Sequence, residues 1–188
     1  MDEAGVANRA LQLPSETIKD GISVDFVAVP WGAALGDSYY DTMLMDMSVF
    51  EAGIKAEEEG YDAVCIDTVS DSGMYALRSR LKIPVLGPGQ AAFHIACMLG
   101  HKFSVITMWD EWFHLYKKVL TEYKLESRCA SLRSINTRPD LEELLAGKEE
   151  VIFEKLEKES LRAIQEDGAD VIVLGSTTMH QSHGFLQQ

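Results

Sequence analysis

The chain has 188 residues, 46% hydrophobic and 25% charged, enough for one α/β domain or two small ones around a substantial core. Its formal net charge of −13 argues against nucleic acid and anionic membrane surfaces as partners. No apolar run approaches the roughly 20 residues that cross a bilayer, and the acidic start Met1-Asp2-Glu3 lacks the basic and apolar regions of a secretory signal, so a cytoplasmic location is expected.

In chain order, residues 4–20 read as a helix interrupted at Pro14 and recapped at Ser15. Ile22–Val29 alternates and then becomes continuously apolar, which predicts a strand ending at Pro30. The stretch Trp31 to Asp41, with two glycines and three aromatics, reads as a loop at a strand end, a suitable place for a lid. A long helix is expected from Asp41 or Thr42 to Glu59, then a strand over 62–68, a short helix over 73–81 and a short strand over 83–86. Gly87-Pro88-Gly89 is a turn into a helix over 90–99, stopped by Gly100. A strand over 103–107, a helix over 110–123, a strand over 128–135, a short helix over 138–145, a long amphipathic helix over 148–167 and a strand over 170–174 complete the pattern. Strands alternating with helices predict parallel sheets with right-handed crossovers.

One pattern occurs twice. Glu58-Glu59-Gly60-Tyr61-Asp62-Ala63-Val64-Cys65-Ile66-Asp67-Thr68 returns in kind as Glu166-Asp167-Gly168-Ala169-Asp170-Val171-Ile172-Val173-Leu174-Gly175-Ser176. Each copy is an acidic helix end, a glycine suited to a left-handed helix stop, a buried-strand-length apolar run, and a hydroxyl residue. Small polar residues follow: Ser70, Asp71 and Ser72 in one copy, Thr177 and Thr178 in the other. Ligands of parallel sheets bind outside the carboxyl ends of the strands, so the repeat predicts two similar halves sharing one cleft.

Cys65, Cys97 and Cys129 are an odd set without a CxxC pair, as expected of reduced thiols and not of a disulfide or zinc framework. Cys65 and Cys97 read as small core residues. His180-x-x-His183 has a spacing seen in metal sites but no third ligand in view, so no metal or other cofactor is expected. His94, on the helix over 90–99, reads as a packed or helix-bonded histidine. Trp109 and Trp112 suit either the cleft or the core.

The run Gly87-Pro88-Gly89-Gln90-Ala91-Ala92-Phe93-His94, continued by Leu99-Gly100-His101-Lys102-Phe103-Ser104-Val105-Ile106-Thr107, resembles the hydantoin racemase branch of the aspartate/glutamate racemase superfamily. Asp67-Thr68-Val69-Ser70-Asp71-Ser72-Gly73-Met74 is similar to that family's first catalytic loop, and Val173-Leu174-Gly175-Ser176-Thr177-Thr178-Met179 to its second. The resemblance covers about residues 20–185. It implies two Rossmann-like α/β lobes related by a pseudo-twofold axis, here 1–95 and 96–188 with the division near 92–100. It also implies a cofactor-independent isomerase whose small substrate lies between the lobes. The family's opening strand and closing segment are not found in the sequence, which reads as truncated at both ends.

The family works with two cysteines, one per lobe, that deprotonate and reprotonate a carbon acid from opposite faces. Their positions are held here by Thr68 and Ser176. A thiol is readily tuned to ionise near neutrality, whereas an alcohol needs its own base. Three classes are therefore open: a diverged enzyme, lyase and hydrolase chemistry included; a non-catalytic binder; and an inactive remnant. Thr68 and Ser176 are the candidate catalytic hydroxyls and Asp71 the candidate base. The backbone amides of Val69, Ser70, Asp71, Thr177 and Thr178 are candidate nests for an oxyanion. The expected partner is a small carboxylate or imide, with assembly as a homo-oligomer also compatible.

Overall fold

A computed structural model describes residues 3–13, 21–33, 35–138, 150–179 and 182–187. The elements, in order, are α1 (Glu3–Leu11), α2 (Tyr39–Gly53), β1 (Val64–Cys65), α3 (Met74–Arg78), β2 (Val85–Leu86), α4 (Pro88–Leu99), β3 (Phe103–Thr107), α5 (Phe113–Tyr123), β4 (Cys129–Ser134), α6 (Glu150–Gln165), β5 (Val171–Leu174) and α7 (Ser182–Leu186). The chain is an α/β protein with parallel sheets. β1 pairs with β2, and a second sheet has the order β4-β3-β5.

β3 shows why the second sheet holds. All five of its residues are buried. Phe103 and Val105 point to a cluster built with Phe93 and Ala96 of α4 and Tyr116, Val119 and Leu120 of α5. Ile106 points to the opposite cluster, with Leu156 and Ala163 of α6. The period-2 alternation thus feeds helices on both faces. The expected lobe division falls within α4, whose Phe93 and Ala96 belong to the second sheet's core. In the first half, Ile66, Met74, Leu77 and Val85 pack beneath Val49, Phe50 and Ile54.

Several boundaries differ from the sequence reading. The expected strand over 22–29 is irregular, and Ile22, Val24 and Val27 are exposed. Alternation signals a half-buried face, but a strand also needs a ladder partner, and neither β1 nor β2 provides one. α2 begins earlier than expected because Ser38 caps it, its hydroxyl accepting from the Asp41 N–H at 3.1 Å. It ends at Gly53, and 54–60 run on as turns. α4 begins at Pro88, which fits the first helical turn, where no amide partner is needed. The helix over 110–123 opens with a 3₁₀ turn at Asp110–Trp112. The helix expected over 138–145, the second part of the one over 4–20 and His180 lie outside the described residues. Cys65 is exposed and not a core residue, because among the described residues β1 pairs with β2 alone; Cys97 is half-buried.

Both repeat glycines take the left-handed conformation, φ +90° at Gly60 and +75° at Gly168. Past them the chain is tied back to the preceding turn, Tyr61 N–H to the Ala56 carbonyl at 3.0 Å and Ala169 N–H to the Ala163 carbonyl at 3.1 Å.

Candidate functional site

A cavity of about 120 Å³ opens beyond β1 and β5. Asp67, Thr68, Val69 and Ser70 enter it from the first repeat, and Gly175, Ser176 and Thr177 from the second. Leu35, Met45, Trp112 and Leu115 form an apolar wall, with Tyr116 beside them. Sites for drug-sized ligands run to about 300–1,000 Å³, so this one suits a small molecule.

Local bonding fixes each loop. After β1 the chain turns back on itself, the Asp71 N–H donating to the Thr68 carbonyl at 2.9 Å and the Ser72 N–H to the Thr68 hydroxyl at 3.2 Å. The Ser70 and Ser72 hydroxyls are 2.9 Å apart. After β5, the Met179 N–H donates to the Ser176 carbonyl at 3.1 Å, closing a 3₁₀ turn. Tyr116 holds this second loop from below: its hydroxyl meets Thr107 Oγ1 at 2.8 Å and donates to the Gly175 carbonyl. A Cβ on Gly175 would lie 2.8 Å from that hydroxyl, so the residue before Ser176 has room for glycine alone. Burial drives the Tyr116 phenol far above its usual range, which keeps it a neutral donor.

The structure brings Thr68, Val69, Ser70, Ser176 and Thr177 to one cavity, while the Thr178 side chain lies outside the described residues. Asp71 is elsewhere. At φ +50° it turns its buried carboxylate toward the start of α4, where it accepts from Gly89 N–H at 2.8 Å, Gln90 N–H at 2.6 Å and the Tyr123 hydroxyl at 2.6 Å. It is a helix cap and not a free base, and its own N–H is spent on Thr68, which removes it from the candidate nest. The two glycines of Gly87-Pro88-Gly89 are explained by the close approach of the same loop: a Cβ on Gly87 would collide with the Asp71 carboxylate, and one on Gly89 with the Val69 carbonyl.

Cys65, Cys97 and Cys129 are not among the cavity's lining residues. Partial burial, with Asp67 and Asp71 nearby, pushes the Cys65 thiol up, and burial pushes Cys129 to about 11. His94 Nδ1 lies 2.7 Å from the Gln90 carbonyl, a bond within its own helix. Trp112 lines the cavity and donates its indole N–H to the Leu35 carbonyl at 2.7 Å, tying the 31–38 loop to α5. Trp109 is instead covered by the Arg138 guanidinium, 5.5 Å from the ring. Among the described residues no cluster of three His, Cys, Asp or Glu side chains is placed to hold a metal ion.

Two groups escaped the sequence reading. Asp67 is the carboxylate that does reach the cavity. Arg9, the one cation of α1, clamps it with Nε to Oδ2 and Nη2 to Oδ1, both at 2.7 Å. Arg9 Nη1 reaches the Thr177 carbonyl at 3.2 Å and Gln12 Oε1 at 2.5 Å. A lone arginine among the otherwise uncharged residues 4–13 was the available signal.

The fold and the paired strand-end loops define an α/β protein with a small cleft between two similar halves. The chain belongs to the Asp/Glu/Hydantoin racemase family, whose model matches residues 7–187. It is 33% identical over 162 residues to the hydantoin racemase of Pseudomonas sp. (strain NS671), covering 86% of this chain and 64% of that protein. It is 35% identical over 135 residues to the hydantoin racemase of Rhizobium meliloti, covering 71% of this chain and 54% of that protein. The chain thus spans under two thirds of the length of both. Among solved structures it is similar to the allantoin racemase from Klebsiella pneumoniae, with a TM-score of 0.82 and 28% identity over 92% of this chain and 69% of that one.

Proposed function

We propose that this protein binds a small imide or carboxylate in the cleft between the two repeats, and that it does not use the two-thiol racemase mechanism. The carrying observation is that Thr68 and Ser176 line one cavity that no cysteine lines. A proton-transfer group supplies about 10²–10⁴-fold in rate, and the two hydroxyls cannot replace a thiolate and a thiol without a base beside them. Orientation and hydrogen bonding to a carbonyl oxygen remain.

A neutral imide fits better than a dicarboxylate. Among the described lining residues the one carboxylate, Asp67, is already matched by Arg9, and the others are uncharged. A ligand carboxylate would meet no free counter-ion among these residues, at the cost of desolvation. The apolar wall of Leu35, Met45 and Leu115 suits a short hydrocarbon substituent. The pairing of Asp67 also favours a second reading, a binder without catalysis, since the carboxylate among the described lining residues is occupied.

The test is calorimetry with 5-methylhydantoin and with succinate, followed by proton NMR of the hydantoin in D₂O. Hydantoin binding that exceeds succinate binding, with little exchange at the ring carbon, is expected. Rapid exchange with loss of optical activity would show that another group serves as base. Binding of neither ligand would remove the cleft as the site.

A further inference from the structure

Arg9 joins the two hydroxyl loops. Its guanidinium uses Nε and Nη2 on Asp67, next to Thr68, and Nη1 on the carbonyl of Thr177, next to Ser176. The Arg9 side chain is 18% exposed, and Asp67 is 45% exposed. The parallel fork of an arginine on a carboxylate fixes direction as well as distance, which a lysine does not do. A third nitrogen on a backbone carbonyl then sets where the second loop stands relative to the first.

We propose that Arg9 is a positioning residue of the cleft: it links the Thr68 loop to the Ser176 loop and holds the separation that a ligand must span. This rests on the cleft being the ligand site, as proposed above. Arg9 is not among the residues lining the cavity, so it acts through the loops and not by touching the ligand. Its bond to Asp67 is partly open to water, so salt weakens the clasp. A neutral ligand has no charge of its own to be screened. Salting-out of such a ligand would strengthen its binding, so weakening by salt reports on the protein, and among the described residues Arg9–Asp67 is the ion pair at this cleft.

The experiment compares the wild type, Arg9→Met and Arg9→Lys by calorimetry with 5-methylhydantoin from about 0.1 M to about 1 M NaCl, over which the screening length falls from about 10 Å to about 3 Å. Wild-type affinity should fall with salt. Arg9→Met should bind about twofold to fivefold more weakly with a flat salt profile, and Arg9→Lys should lie between them with part of the slope restored. In parallel, spin labels at Glu58→Cys and Lys158→Cys, both exposed, in a background with Cys65, Cys97 and Cys129 replaced by serine, should show a broader distance distribution in Arg9→Met than with Arg9 intact. Unchanged or tighter hydantoin binding by Arg9→Met would overturn the proposal and make Arg9 a bystander or a gate. If no form binds hydantoin, the cleft reading fails, and an unbroadened distance distribution then also removes the clasp.

Discussion

The Tyr123 hydroxyl, at the end of α5, donates to Asp71 at 2.6 Å and so ties the second half's helix to the loop that carries Thr68. Two backbone amides of α4 share the same carboxylate. Burial raises the Asp71 carboxyl above the ordinary range, while the bonds from Tyr123, Gly89 and Gln90 and the nearby Arg78 oppose it.

Asp71→Asn should therefore destabilise the protein by about 1–3 kcal/mol, because the new amide nitrogen has no lone pair for the N–H that faces it. The pH dependence has a definite sign. A carboxyl whose folded value is raised holds its proton more tightly when folded, so its stabilising contribution is complete below the unfolded value and is lost as pH rises through the folded one. The cost of the substitution should shrink as pH rises from the unfolded value of about 4 through the raised folded one. Urea unfolding of both proteins across that range checks it, and a cost that grows with pH would contradict the burial argument.

Gly175→Ala should cost about 1–3 kcal/mol through overpacking, since its methyl would meet the fully buried Tyr116. Tyr116→Phe removes the clashing oxygen. The double variant should be more stable than the sum of the two single losses implies. Strict additivity in a thermal or urea double-mutant cycle would show that the strain lies elsewhere.

Replacing Cys65, Cys97 and Cys129 by serine should leave hydantoin binding within about a factor of two. None of the three lines the cavity, and the raised pKa of Cys65 and Cys129 leaves both as thiols at neutral pH. Iodoacetamide should modify exposed Cys65 first, slowly, and without blocking the ligand. Protection of Cys65 by hydantoin would count against this arrangement.

Some of this was legible in the residues alone. The repeated glycine stops carry local signals, and Phe103–Thr107 is a β-branched and aromatic run whose length and neighbours leave little choice but a buried strand. The segment 22–29 misled because periodicity describes one strand's faces and says nothing about whether a neighbour is there to complete its ladder. Asp71 misled for a different reason: its left-handed backbone turns the side chain away from the cleft its sequence neighbours line. Arg9 and Asp67 lie 58 residues apart, a separation at which spacing carries no information.

The two sheets have unequal means of resisting opening. β3 is bonded on both sides and covered on both faces, whereas β1 and β2 share a ladder of two residue pairs with one sheet edge on each. Amide protons in β3 should exchange only through global unfolding, and those of β1 and β2 through smaller local events. The cleft consequently has one stiff wall, carrying Ser176, and one compliant wall, carrying Thr68. A ligand that bridges them should slow exchange chiefly on the Thr68 side, where there is most motion to suppress.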